Sequence, residues 1–260
     1  MSPPVTLLPL SATAVLAALA GLAIGRGTRR LVARFSGVES SGAELSGVEL
    51  SGVEGERRGA RPAAGAVEGV TAVVLAALAL RALWPDAAAG AAIWPGVPEG
   101  AEVTPVGRGA ELLAFGWLAV VAVVLSFVDA AVHRLPDRLT LAAYLGTAAP
   151  LAVSALADGR LGDLLGAGLG GLALAGFYLL LFLANPAGMG FGDVKFAASL
   201  GTALGWLGWN TLVTGAFLGL LAGGLYGAAL MASRRAGRKS EIPFGPFMAV
   251  GALVAVLTAL

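Results

Sequence analysis

The sequence predicts an all-α, polytopic membrane protein of about eight transmembrane helices, with its N-terminus outside. Composition, run length and loop charge carry this expectation. The 260 residues are 57% hydrophobic, only 13% are charged, and mean hydropathy is +0.84. Apolar runs recur near the ~20 residues needed to cross about 30 Å of hydrocarbon. They are continuous rather than alternating, which argues against a transmembrane β-barrel. The chain has no cysteine, so disulfides and thiolate metal sites are excluded. The net charge of +1 favours no class of partner, and nucleic acid is not expected.

The candidate spans are 5–25, 65–84, 110–129, 139–157, 162–184, 193–209, 211–232 and 243–260. In the first, the basic residues follow the apolar run instead of preceding it, so it reads as a retained helix and not as a signal peptide. The sixth is the weakest, because Gly201, Gly205 and Gly208 interrupt it. With the N-terminus outside, all of the 17 basic residues except Arg81, Arg108 and Arg160 fall in inner loops, as the positive-inside rule requires. The spans divide the chain into a first transmembrane helix (1–25), a cytoplasmic linker (26–63) and a multi-helix domain (64–260). The linker holds a five-residue Ser-Gly-Val-Glu-type repeat from Ser36 to Gly55, a period that fits neither helix nor strand and implies disorder. The Pro/Gly-rich stretch from Pro85 to Gly109 reads as an irregular outer loop. Glycines spaced by four (Gly162, Gly166, Gly170; Gly215, Gly219, Gly223, Gly227) let helix backbones approach closely. Packing within the chain is the expected use; a homodimer through these Gly-x-x-x-Gly faces is the alternative.

Two aspartates stand out energetically. Asp129 ends one apolar run and Asp193 begins another. A carboxylate near hydrocarbon costs roughly 2.5–3.5 kcal/mol on insertion scales, so such a residue is a functional candidate by default. The loop charges place both on the cytoplasmic side. Two carboxylates brought together share a proton, and one then activates water while the other polarises a carbonyl. That chemistry needs no metal, and the only histidine, His133, lacks ligand partners. Gly188, Gly190 and Gly192 leave room around Asp193 and permit irregular backbone, though a simple helix cap would read the same way. Asp137 follows Pro136 and reads as a helix start, so Asp129 is the better partner for Asp193. Glu68, near the start of the second span, reads as a cap or as an accessory acid.

Three segments together resemble the type IV prepilin peptidase family, Gly-x-Gly-Asp intramembrane aspartic proteases. They are Asp129 with Leu135-Pro136-Asp137-Arg138-Leu139-Thr140, then Gly190-Phe191-Gly192-Asp193-Val194-Lys195, then Ile242-Pro243-Phe244-Gly245-Pro246-Phe247. A weaker match sets Ala66-Val67-Glu68 on the family's Leu-Val-Glu. The resemblance runs from about Glu68 to Leu260. It implies an aspartic endopeptidase of the bacterial inner membrane that cleaves leader peptides from prepilins or pseudopilins at the cytoplasmic face. Asp129 and Asp193 would be catalytic, with Gly190, Gly192, Lys195, Pro136, Asp137 and Glu68 as supporting residues. Longer family members carry Cys-x-x-Cys motifs and methylate their product. This chain has no cysteine, so methyl transfer is not expected, and no cofactor is. The alternatives are a presenilin-like protease, which would want Pro-Ala-Leu where Pro243-Phe244-Gly245-Pro246 stands, and a proton-coupled transporter, which would want inverted repeats.

Overall fold

A computed structural model of the chain describes residues 18–33, 65–82, 103–133, 135–186, 189–233 and 243–259. The Ser-Gly-Val-Glu repeat, the start of the first predicted span, the stretch from Pro85 to residue 102, and Arg134, Gly188 and Ile242 lie outside the described residues. Within the described residues there are eight helices and no strand. They are α1 (18–33), α2 (Ala66–Ala82), α3 (Pro105–Val132), α4 (Asp137–Asp158), α5 (Leu161–Ala184), α6 (Phe191–Trp206), α7 (Trp209–Ala232) and α8 (Gly245–Thr258). Four of them, α3, α4, α5 and α7, are long and apolar enough to cross a membrane, while α2 and α8 are shorter apolar helices. The chain is an all-helical, polytopic membrane protein.

Three predicted boundaries move, each for a local reason. The first helix runs on to residue 33, past the predicted end at 25, and there Arg29 pairs with Glu68 of α2 (Nε–Oε1 3.3 Å). α3 begins at Pro105, inside the predicted loop. Thr104 caps it, its hydroxyl accepting the Gly107 N–H at 3.0 Å, and proline suits the first turn because its missing N–H would be unpaired there anyway. At its other end α3 reaches Val132, so Asp129 sits in the last turn rather than at the tip. His133 closes it in the left-handed region (φ 53°), its N–H donating to the Asp129 carbonyl.

The glycines of α6 do not interrupt it. Gly201 and Gly205 face Gly170 and Gly166 of α5 so closely that a Cβ on Gly205 would lie 2.6 Å from the Gly166 carbonyl oxygen. Twelve of the 16 residues of α6 are buried, so protein rather than lipid encloses this helix, and it need not have the length of a lipid-facing span. Gly208, at φ 110°, is the residue that ends the segment and turns the chain into α7. On α7, Gly215, Gly219 and Gly223 lie against Ala252, Met248 and Phe244 at α8. These glycine faces are thus occupied by neighbours in the same chain. α3 lies at the centre, against α2, α4 and α8, and α6 fills the space between α4, α5 and α8.

Candidate active site

Asp129 and Asp193 come together at one end of the bundle. Asp129 is 3% exposed and Asp193 4%. The two carboxylates lie close enough for their charges to act on one another. Different local devices hold each of them. The Oδ2 of Asp129 accepts the backbone N–H of Gly245 at 2.8 Å. Gly245 opens α8, so this N–H is one of the donors that a helix leaves unpaired at its N-terminus, where the helix dipole also favours negative charge. A Cβ on Gly245 would lie 2.9 Å from Oδ2, so only glycine fits there without displacing the carboxylate.

Asp193 occupies the third position of α6, and its Oδ2 accepts the N–H of Gly190 at 3.3 Å, one half of a capping box. Its Oδ1 is buried and has no hydrogen-bond partner among the described residues. Among the same residues neither aspartate forms an ion pair, although His133 stands within electrostatic reach of Asp129.

Gly192 has a different role from the one its motif suggested. A Cβ there would fall 2.6 Å from the Leu135 Cβ, so the missing side chain lets α6 start directly on the connection between α3 and α4. That approach carries Asp193 toward Asp129. Around Gly190 the space is ordinary, the nearest atoms to a Cβ being 3.7 and 3.9 Å away. Pro136 caps α4 in an extended conformation, and Asp137 is its first residue. The Asp137 side chain is 78% exposed and pairs with Lys195 of α6 (Nζ–Oδ1 2.6 Å), so both lie on the rim, outside the buried pair. Glu68 is buried, but its partner is Arg29 of α1. Among the described residues no three histidine, aspartate or glutamate side chains gather as a metal site would require.

Sequence reasoning left two features of this site without a role. The aromatic-Gly-Pro segment was noted as a motif only; proline in the first turn marks a helix start, and that start turns out to face Asp129. Tyr178 of α5 is the second feature. It is 1% exposed, its ring lies 5.8 Å from that of Phe244, and it is within electrostatic reach of Asp193. The available signal was a phenol in the middle of an otherwise apolar span.

A model of the type IV leader peptidase family matches residues 116–228, which include both aspartates. The chain is also similar to proteins named prepilin leader peptidase/N-methyltransferase. That of Aeromonas hydrophila is 36% identical over 163 residues, 57% of this chain and 52% of the relative. That of Pseudomonas aeruginosa is 36% identical over 149 residues, 56% of this chain and 48% of the relative. That of Burkholderia pseudomallei is 34% identical over 153 residues, 55% and 45% respectively. The chain therefore spans about half the length of the curated relatives it matches. No solved structure matches it. Gly245 and Glu68 fall outside the residues that the leader peptidase model matches, so the amide that holds Asp129 comes from beyond it.

Proposed function

We propose that this chain is an intramembrane aspartic endopeptidase that removes the leader peptide of prepilin-like proteins. The observation that carries the proposal is the buried, mutually interacting Asp129–Asp193 pair inside the leader-peptidase segment. One proton is shared between the two carboxylates, because two adjacent charges there would repel each other in a poorly solvated place. The charged carboxylate takes a proton from water, whose oxygen attacks the scissile carbonyl carbon. The protonated one donates to the carbonyl oxygen as the tetrahedral intermediate forms. The C–N bond then breaks, and the leaving nitrogen takes up a proton. The Gly245 amide fixes Asp129, and the buried Oδ1 of Asp193, without a hydrogen-bond partner among the described residues, is left for the attacking water or the substrate.

Residues 64–260 form the peptidase body in this reading, with 1–25 as a first membrane helix and 26–63 as a cytoplasmic linker. The inner-membrane placement, with the pair at the cytoplasmic face, rests on the bias of basic residues toward inner loops. The substrate's apolar helix then lies in the bilayer and its basic leader in the cytosol, which sets the bond between them beside the pair. Of the relatives' two named activities only leader cleavage is carried over, since the chain lacks the cysteines of the Cys-x-x-Cys motifs that the resemblance associates with methylating members. The glycine-spaced faces of α5 and α7 serve packing within one chain and do not by themselves call for a homodimer. Co-expression with a prepilin reporter tests the proposal. Wild type should process the reporter and Asp129→Asn and Asp193→Asn should not; processing at the wild-type rate by either variant would remove that residue from the mechanism.

A further inference from the structure

A cavity of about 320 Å³ runs between α2, α3, α6 and α8. Among the described residues its lining has no charged side chain, and Ser126 is the only polar one. The cavity's lining reaches the last turns of α3 and the first turn of α8, the two segments that carry Asp129 and Gly245. Phe127 and Ala130, which line it, bracket Asp129 in sequence, and Pro246, at the same end, follows the Gly245 that holds Asp129. From Ala130 the lining extends along α3 to Phe115, about four helical turns or roughly 22 Å. Val250 lines it on α8 yet is 56% exposed, so this wall is reachable from outside the bundle.

We infer that this furrow seats one face of the substrate's apolar helix, directly after the bond that is cleaved. The inference rests on the peptidase reading. The shape is long and narrow. It is too small to enclose a helix about 10–12 Å across, but suits a row of side chains from one helix face. Its uncharged lining would strand any charged residue of the occupant. A phospholipid tail is also long and apolar, but its phosphate would come to rest beside Asp129 and Asp193, acid against acid. A peptide chain brings no such charge to that end, and its backbone must arrive there to be cut.

The absence of cysteine allows single-cysteine cross-linking in the full chain. The reporter carries a basic leader, a glycine and an apolar segment with one cysteine about a turn past the glycine. In an Asp129→Asn background, which holds the reporter uncut, Val250→Cys should form the disulfide at least tenfold more than Leu172→Cys, which lies 74% exposed on α5 away from the furrow. Equal cross-linking at the two positions would overturn the inference. Val250→Trp should raise KM for this reporter about tenfold. Its effect on a short reporter ending just past the glycine should be much smaller, and Leu172→Trp should change neither. Equal effects of Val250→Trp on long and short reporters would also sink it. So would release of co-purified phospholipid by Val250→Trp with KM unchanged, which would assign the furrow to lipid. If wild type cuts neither reporter, the peptidase reading fails by itself, and cross-linking still decides whether the furrow holds the helix.

Discussion

The bundle buries carboxylates at both ends and treats them in opposite ways. At the end away from Asp129, Glu111 of α3 is 2% exposed and meets the guanidinium of Arg160. Ser154 donates to the same carboxylate from α4, and Arg160 reaches on to Asp163 at 2.7 Å and lies 4.7 Å above the Trp206 ring. Beside this cluster, the Thr104 amide and hydroxyl donate to Asp158 at 2.9 and 2.7 Å, tying the start of α3 to the end of α4. At the other end, among the described residues, Asp129 and Asp193 accept only backbone N–H groups, and each carboxylate lies within electrostatic reach of the other. A matched charge fastens helices together. In the proposed mechanism, an unmatched pair of acids held by amides retains a proton and an oxygen for chemistry. Burial alone does not distinguish the two cases, because both carboxylate sets are almost fully enclosed; the partner decides.

Substitutions at the two ends should separate activity from stability. The largest effect belongs to the pair. Asp129→Asn or Asp193→Asn should lower reporter cleavage by about 10²–10⁴-fold, the usual contribution of a general acid or base, while membrane yield and thermal midpoint hold or rise. A variant that loses its fold together with its activity would give the pair the same fastening role as Glu111. At the far end, Arg160→Met should destabilise the protein by about 3–5 kcal/mol, because it leaves Glu111 buried and uncompensated. Adding Glu111→Leu should restore most of that in a thermal melt in detergent; no recovery would mean that Arg160 matters through something other than this pair.

Between these extremes lies Gly245→Ala. Its Cβ would press on the Asp129 carboxylate, and a shift of a few tenths of an ångström should reduce kcat about tenfold, given that a displacement near 1 Å can cost about 10²-fold. An unchanged kcat would show that the amide is not what positions Asp129. The smallest effect should come from the rim. Lys195→Met breaks the exposed ion pair with Asp137 and should change stability by about 0–1 kcal/mol, with cleavage within about threefold of wild type. A loss near that of the aspartates would move Lys195 into the site.

The energetic argument that singled out Asp129 applied equally to Glu111, a carboxylate at the start of the same apolar run. Glu111 receives no role in the sequence analysis. Even applied there, the energetic cost could not have told a catalytic acid from a fastening one, because Arg160 lies 49 residues away and approaches only when α5 starts beside α3 and α4. The helices among the described residues were legible from their apolar runs, four of them long and apolar enough to cross a membrane, and ends moved where capping by Thr104 or a turn at His133 outweighs hydropathy. The glycines were harder to read. In α6 they looked like interruptions, yet they are contact points against α5, since a sequence states that a side chain is missing and not what occupies its place.

The sequence by itself determined the helical membrane class, the clustering of positive charge in certain loops and the two candidate acids, because hydropathy, charge and the cost of a carboxylate in hydrocarbon are properties of residues and of their near neighbours. The tertiary structure alone decided that Gly192 on Leu135 brings Asp193 to Asp129, that the first amide of α8 holds Asp129, and that Arg160 matches Glu111. Each of these joins groups far apart in the chain, and each depends on approaches within a few ångströms that only the packing of whole helices sets.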